Sequence, residues 1–361
     1  MKIIVLQDHL RSGGTERQSV LLANAFAAAG HESTLLTFRP GGALAPSVSS
    51  QVTRVHLQPF DFKLDWAAPG LRSRMRKSAP DVVLCMGRMA NCYAGSLQRD
   101  LPQAAVIATM RTGKKLPPRY QRSLTNVRHI VANSHDARAT LVRDYGVDAA
   151  RIAVIHNSLI FPAPAALVRD VHLRTHFGAG PRTAVLLCVA MFRAEKNQRE
   201  LIEIARGLPA DLDWQLWLAG DGPARAACEQ VVASLDLGSR VKFPGFLRDP
   251  MPLYQAADIA VHASSSEALS NFLIEAQAHG LPVVAYAAQG IAECFVPDQT
   301  GWMIPRDQPD AFRAALLRLI DAPATQRDAL TVAAKTFARR TFDPARQVAA
   351  YLELFARLRT N

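Results

Sequence analysis

The sequence predicts an α/β protein made of two doubly wound domains, and three observations carry that reading. The first is length: 361 residues exceed one ordinary core and suit two domains of roughly 150–200 residues each. The second is rhythm, because short runs rich in Val, Ile and Leu alternate with longer segments of helical period. Buried strands alternating with helices make βαβ units around a parallel sheet. The third is repetition. The rhythm pauses at FPAPAALVRD (161–170) and then starts again, so two domains of the same plan are the economical solution.

The first domain, 1–165, opens with strand KIIVL (2–6) and a helix from 15 to about 29. Strands are expected at 33–38, 51–57, 81–86, 104–110 and 129–134, followed by a helix at 136–145 and a short strand at 152–155. The second domain, 166–340, restarts with strand AVLLCVA (184–190) and a helix at 196–206. Strand 214–220, helix 224–235, strands 241–245 and 258–264, helix 270–279 and strand 281–286 follow, and from 307 onward the chain reads as helical. The last helix, DPARQVAAYLELFARL (343–358), has an aspartate cap and proline at its first position. Its apolar face of Val348, Tyr351, Leu352, Phe355 and Leu358 must pack on something. No strand follows it, so the segment 341–361 stands apart, and a crossing back to the first domain is left open.

Composition narrows the class. Apolar residues make up 49% and charged residues 20%, a soluble globular mix with no uncharged apolar run of the ~18 residues a membrane span needs. The apolar run after Lys2 ends at Gln7, too short for a secretory leader, so a cytoplasmic location is expected. The five cysteines are scattered without CxxC spacing; they read as core residues in a reducing compartment, and no metal site is expected. The net charge is +11, and its distribution is uneven. Residues 1–165 hold 21 Lys and Arg against 10 Asp and Glu, whereas 166–361 hold 21 against 21. The excess concentrates at RSRMRK (72–77) and RTGKKLPPRYQR (111–122). Such a face is either simply solvated or meets an acidic partner or an anionic membrane surface. No nucleic-acid module accompanies it.

In open parallel sheets, ligands bind beyond the carboxyl ends of strands, where loops lead into helix N-termini. Four loops fit. DHLRSGGTERQS offers Gly13 and Gly14 without the dinucleotide or Walker pattern. VAMFRAEKNQRELI places Arg193 and Lys196 where a helix begins. Two cations there oppose the macrodipole, a conflict that a bound anion, or in part Glu195, would relieve. LAGDGPARA is a tidy strand-to-helix turn. The fourth, SSSEALSNFLIEAQAHG, carries Glu267 and Glu275 in a nearly uncharged setting, where a carboxylate needs a partner. A phosphate at the first-turn amides would leave one hydroxyl-bearing group for each glutamate.

These residues resemble glycosyltransferase family 4, the retaining enzymes of the GT-B fold with a Glu-x7-Glu motif. The likeness covers nearly the whole chain, in order: SGGTERQSVLLANAFAAAGHE, HIVANSHDAR, RIAVIHNSL, FRAEKNQRELI, LWLAGDGPAR, VKFPGF and ADIAVHASSSEALSNFLIEAQAHGLPVVA. The resemblance implies two Rossmann-like domains facing a central cleft, the first binding acceptor and the second a nucleotide sugar. By resemblance, Glu275 holds the ribose and Glu267 a hydroxyl of the donor sugar. Backbone amides of Ala268, Leu269, Ser270 and Asn271 meet the sugar and distal phosphate, while Lys196 and Arg193 neutralise the diphosphate. Gly245 and Phe246 flank the base, and the Gly13–Gly14 loop closes over the phosphates. A UDP-sugar is the expected donor class, although no residue fixes its base or sugar. The acceptor is expected to be a saccharide or lipid-linked glycan of the cell envelope, such as lipopolysaccharide.

Two departures stand out. Ala190, Met191 and Phe192 replace the family's Gly-Arg-Leu, so Arg193 is read as the substitute arginine. Met110 and Arg111 stand where many members have a histidine, and Arg111 is read as an acceptor-binding group. A sugar-nucleotide epimerase of the same architecture, or a non-catalytic sugar-nucleotide-binding subunit, would share these features.

Overall fold

The computed structural model describes residues 1–159, 161 and 169–360; of the stretch read as a linker, residues 162–168 lie outside the described residues. Contacts divide the chain into Met1–Ser158 with Pro344–Asn361, and Leu159–Asp343. Position 165, where the division was expected, lies outside the described residues, and the C-terminal segment belongs to the first unit from Pro344 onward.

The first unit holds β1 (Lys2–Gln7), α1 (Gly14–Ala28), β2 (Glu32–Thr37), β3 (Thr53–His56), α2 (Leu71–Ser78), β4 (Val82–Cys85), α3 (Arg88–Asp100), β5 (Ala105–Met110), α4 (Pro118–Asn126), β6 (His129–Ala132), α5 (His135–Tyr145) and β7 (Ile152–Val154). Its strands form a parallel sheet in the order β3-β2-β1-β4-β5-β6-β7. The central strands β4 and β5 are buried along their whole length, as expected of a parallel sheet covered on both faces. Helices α2, α3 and α4 escaped the sequence reading. In α2 only Leu71 and Met75, one turn apart, are buried in a run of basic residues.

The second unit holds α6 (Val171–His176), β8 (Ala184–Val189), α7 (Gln198–Arg206), β9 (Trp214–Ala219), α8 (Arg225–Ser234), β10 (Val241–Gly245), α9 (Met251–Ala256), β11 (Ile259–His262), α10 (Asn271–Ala278), β12 (Val283–Tyr286), β13 (Gly301–Ile304), α11 (Pro309–Ile320) and α12 (Ala324–Thr341). Its parallel sheet runs β10-β9-β8-β11-β12-β13. The order reverses between β8 and β11, which is where a doubly wound sheet opens a crevice at its carboxyl edge. The short strand β13 was absent from the sequence reading.

The chain ends in α13 (Pro344–Thr360), which returns to the first unit and packs against α1 and β5. Phe26 meets Tyr351 and Phe355 edge-on, with ring centroids 6.3 and 5.5 Å apart. Buried amides pin both ends of the excursion. Gln18 Nε2 donates to the Ser158 carbonyl (2.7 Å), and Gln347 Nε2 donates to Gln18 Oε1 (3.0 Å) and to the His156 carbonyl (2.7 Å).

Candidate functional site

The second unit concentrates its polar chemistry at the β8/β11 reversal. From β8 the chain runs through 190–197, with a 3-10 turn at Ala194–Lys196, before α7 starts at Gln198. From β11 it runs through 263–270 into α10. The two loops are bonded together: Ser265 N–H donates to the Glu195 carbonyl (2.8 Å) and Ser264 Oγ to the same oxygen (3.1 Å).

Lys196 and Glu267 close an ion pair across that junction. Glu267 Oε1 also accepts from Nε2 of His262, 2.9 Å away and buried. Burial by itself raises the Glu267 carboxyl. The His262 hydrogen bond and the Lys196 charge outweigh it and hold the group down at about 2. Burial pushes His262 below the ordinary histidine range, more than the carboxylate raises it. A neutral imidazole donating to an ionised carboxylate follows. The charge conflict expected at the start of α7 is thus met on Lys196 by Glu267, which comes from the neighbouring loop. Arg193 is exposed beside it.

Glu275 sits in α10 and has a different partner. Tyr254 of α9 donates its hydroxyl to Glu275 Oε2 at 2.6 Å. The Tyr254 ring is buried and stacks on His279 at 4.7 Å. Between the two glutamates, Ala268, Leu269 and Ser270 are buried and Asn271 begins the helix. Ser270 occupies the cap position without a side-chain hydrogen bond to the helix.

Glycines let these loops approach closely. Gly290 has φ +71°, and a Cβ there would lie 2.0 Å from the Ala268 carbonyl oxygen. Gly220 has φ +135°, and its Cβ would lie 2.1 Å from the Ala190 carbonyl oxygen. Both positions need a residue without a side chain. Gly220 N–H also donates to the Gly245 carbonyl (2.8 Å), and Phe246 next to it is half exposed.

The remaining candidates lie in the first unit. Gly13 caps α1 in ordinary extended backbone and Gly14 is its first residue. Arg111 follows β5 and is turned to internal partners, Asn157 and the Tyr351 hydroxyl of α13. Its burial lowers its pKa. At the β1/β4 reversal of this unit, the Asp8 carboxylate accepts from the Met89 and Ala90 amides at the start of α3, and burial lifts its pKa to about 6. Sequence reasoning missed His262, Tyr254 and Asp8. Asp8, two residues after an apolar strand, had a signal in its place at a strand end. His262 had none inside an apolar strand, and Tyr254 had none in the short stretch between two expected strands.

Two family models divide the chain between them. Residues 12–159 match Glycosyltransferase Family 4, and residues 174–337 match Glycosyl transferases group 1. The chain is a glycosyltransferase of the family 4, GT-B type. This glycosyltransferase is 28% identical to the lipopolysaccharide core biosynthesis glycosyltransferase LpsD of Rhizobium meliloti (strain 1021), over 96% of this chain and 95% of that one. It is 27% identical to LpsE of the same organism over 86% of each. Among solved structures, Anabaena HepE in complex with UDP and glucose superposes with a TM-score of 0.81 at 21% identity, covering 99% of both chains. The sucrose-phosphate synthase of Thermosynechococcus elongatus gives 0.79 at 20%, again over 99% of both. At those identities the superpositions establish the fold.

Proposed function

We propose that this glycosyltransferase moves a sugar, with retention of anomeric configuration, from a nucleotide diphosphate sugar to a saccharide or lipid-linked acceptor in lipopolysaccharide or related envelope polysaccharide assembly. The observation that carries the reading is the Lys196–Glu267 pair across the β8/β11 reversal, beside an α10 N-terminus whose cap residue makes no side-chain bond to it. A helix N-terminus favours an anion, and cations beside it add to that preference. The names of the relatives support the envelope setting, and the HepE complex supports a UDP-sugar donor.

In this reading the donor diphosphate meets the amides of Ala268 to Asn271, with Lys196 and Arg193 neutralising its charge. As the anomeric carbon–oxygen bond breaks, its electron pair leaves with the distal phosphate, and preorganised donors stabilise that developing charge. The acceptor hydroxyl attacks the face just vacated and gives up its proton to the departing phosphate oxygen. No carboxylate nucleophile and no metal ion is required. Glu267, kept ionised, accepts from a sugar hydroxyl, Glu275 from the ribose, and Gly245 with Phe246 borders the base. Gly13 and Gly14 open α1 in the first unit, and Arg111 of that unit is assigned to the acceptor. The basic first half docks on an anionic surface, which puts the reaction at the inner face of the cytoplasmic membrane.

Isothermal titration with UDP, GDP, ADP and their sugars, followed by product anomer analysis by NMR, tests this reading. Binding of one diphosphate class and an unchanged anomeric configuration are expected. An inverted product, or no diphosphate binding, overturns it.

A further inference from the structure

The loop between β3 and α2 displays apolar side chains instead of burying them. Phe60, Phe62, Leu64 and Trp66 are 73%, 55%, 40% and 54% exposed. The loop is nonetheless well tied. Buried Gln58 donates its Nε2 to the carbonyls of Leu64 (2.7 Å) and Ala67 (2.8 Å), and the Tyr93 hydroxyl donates to the Trp66 carbonyl (2.7 Å). Its two acidic residues are also used internally. Arg39 holds Asp61 at 2.7 Å and Asp65 at 2.6 Å, and Arg11 holds Asp65 at 2.6 Å. Both carboxylates of the loop and its Leu64, Trp66 and Ala67 carbonyls are therefore committed to the protein, while large apolar side chains face outward in a held arrangement. Ordering Phe and Trp against water is unfavourable unless something covers them.

The surroundings say what covers them. Lys63 within the loop is exposed, and so are Arg74, Arg76 and Lys77 on the helix that follows. Asp61 and Asp65 are the acidic residues between 60 and 78, and both are already paired. Apolar side chains including a tryptophan, ringed by free positive charge, match the headgroup boundary of a negatively charged bilayer. A loop this short enters that boundary without crossing it. We propose that residues 60–66 insert into the interface of an anionic membrane while the basic face of α2 lies on the lipid phosphates. The proposal rests on the membrane-surface part of the function above and names the segment that makes the contact.

The other three tryptophans, Trp214, Trp217 and Trp302, are 3%, 0% and 9% exposed, so Trp66 is the one whose emission reports on solvent and lipid. The full chain is mixed with vesicles of phosphatidylcholine alone, or of phosphatidylcholine with phosphatidylglycerol, carrying brominated acyl chains. Anionic vesicles should shift the emission to the blue and quench it. Trp66→Phe should remove both signals while co-sedimentation persists. The double variant Phe60→Ser, Phe62→Ser changes only exposed side chains, and circular dichroism verifies its fold. It should bind anionic vesicles about tenfold or more weakly, since each ring loses its share of apolar burial. Sedimentation with unaltered Trp66 emission, or a double variant that sediments like wild type, overturns the loop and leaves the basic surface standing. No sedimentation on anionic vesicles overturns both. A blue shift produced by soluble oligosaccharide and not by vesicles gives the loop to a glycan and overturns the proposal as well.

Discussion

Tyr254 and Glu275 are joined by a 2.6 Å hydrogen bond that links α9 to α10. The phenol orients one carboxylate oxygen of the acid proposed to hold the ribose. Glu275→Ala is expected to weaken nucleotide binding by about 1.5–3 kcal/mol, the range for hydrogen bonds to a charged group. Tyr254→Phe should cost less, about 0.5–1.5 kcal/mol. Titration calorimetry with the free nucleotide measures both; equal affinity for wild type and Glu275→Ala removes the ribose assignment.

Lys196 has two duties, as partner of Glu267 and as proposed counter-charge of the diphosphate. Lys196→Ala is expected to lower turnover by about 10²–10³, the loss seen when one donor to a developing oxyanion is removed. Steady-state kinetics check this, and a change confined to KM would reduce the lysine to a ground-state contact.

Acid should act on Glu267 in a definite direction. Its carboxyl lies below the ordinary value of 4.5, at about 2, so the folded chain holds that proton less well than the unfolded one. The stabilisation is complete above the unfolded value and is lost as the pH falls towards about 2, worth at most about 3 kcal/mol by linkage. Denaturation of wild type and Glu267→Gln between about pH 6 and 3 should show the gap between them narrowing. A constant gap would contradict the pairing with His262 and Lys196.

Gly290→Ala is expected to destabilise the second unit by more than the about 1–2 kcal/mol that left-handed backbone costs a residue with a Cβ. The added carbon also lies 2.0 Å from the Ala268 carbonyl oxygen. Thermal unfolding measures the loss. Because Ala268 leads into α10, nucleotide affinity should drop in parallel.

Phe355→Ala should destabilise the first unit by about 3–5 kcal/mol, the usual cost of emptying a buried aromatic site. Phe355 and Tyr351 are fully buried against Phe26. Deletion of 344–361 should leave that unit without a stable fold, read as lost protection of residues 1–158 in hydrogen exchange. Native-like protection would show that α13 is dispensable.

Length and apolar rhythm by themselves determined the α/β class, because a strand buried on both faces has to be written in Val, Ile and Leu whatever its neighbours are. Eight residues of spacing likewise brought Glu267 just ahead of α10 and Glu275 into it, since a helix start needs only local sequence. The helices α2, α3 and α4 were not legible, because α2 buries only Leu71 and Met75 while the buried faces of α3 and α4 are interrupted by Asn91, Gly95, Gln98 and Ser123. The partners of the glutamates were decided by tertiary structure alone. Lys196 lies 71 positions from Glu267 and Tyr254 lies 21 from Glu275, and neither interval has a local period to betray it. Which strand the chain reverses beside, and which helix covers β5 at its end, depends on where apolar faces find cover in three dimensions. That is a sum over distant residues, and no single stretch of sequence contains it.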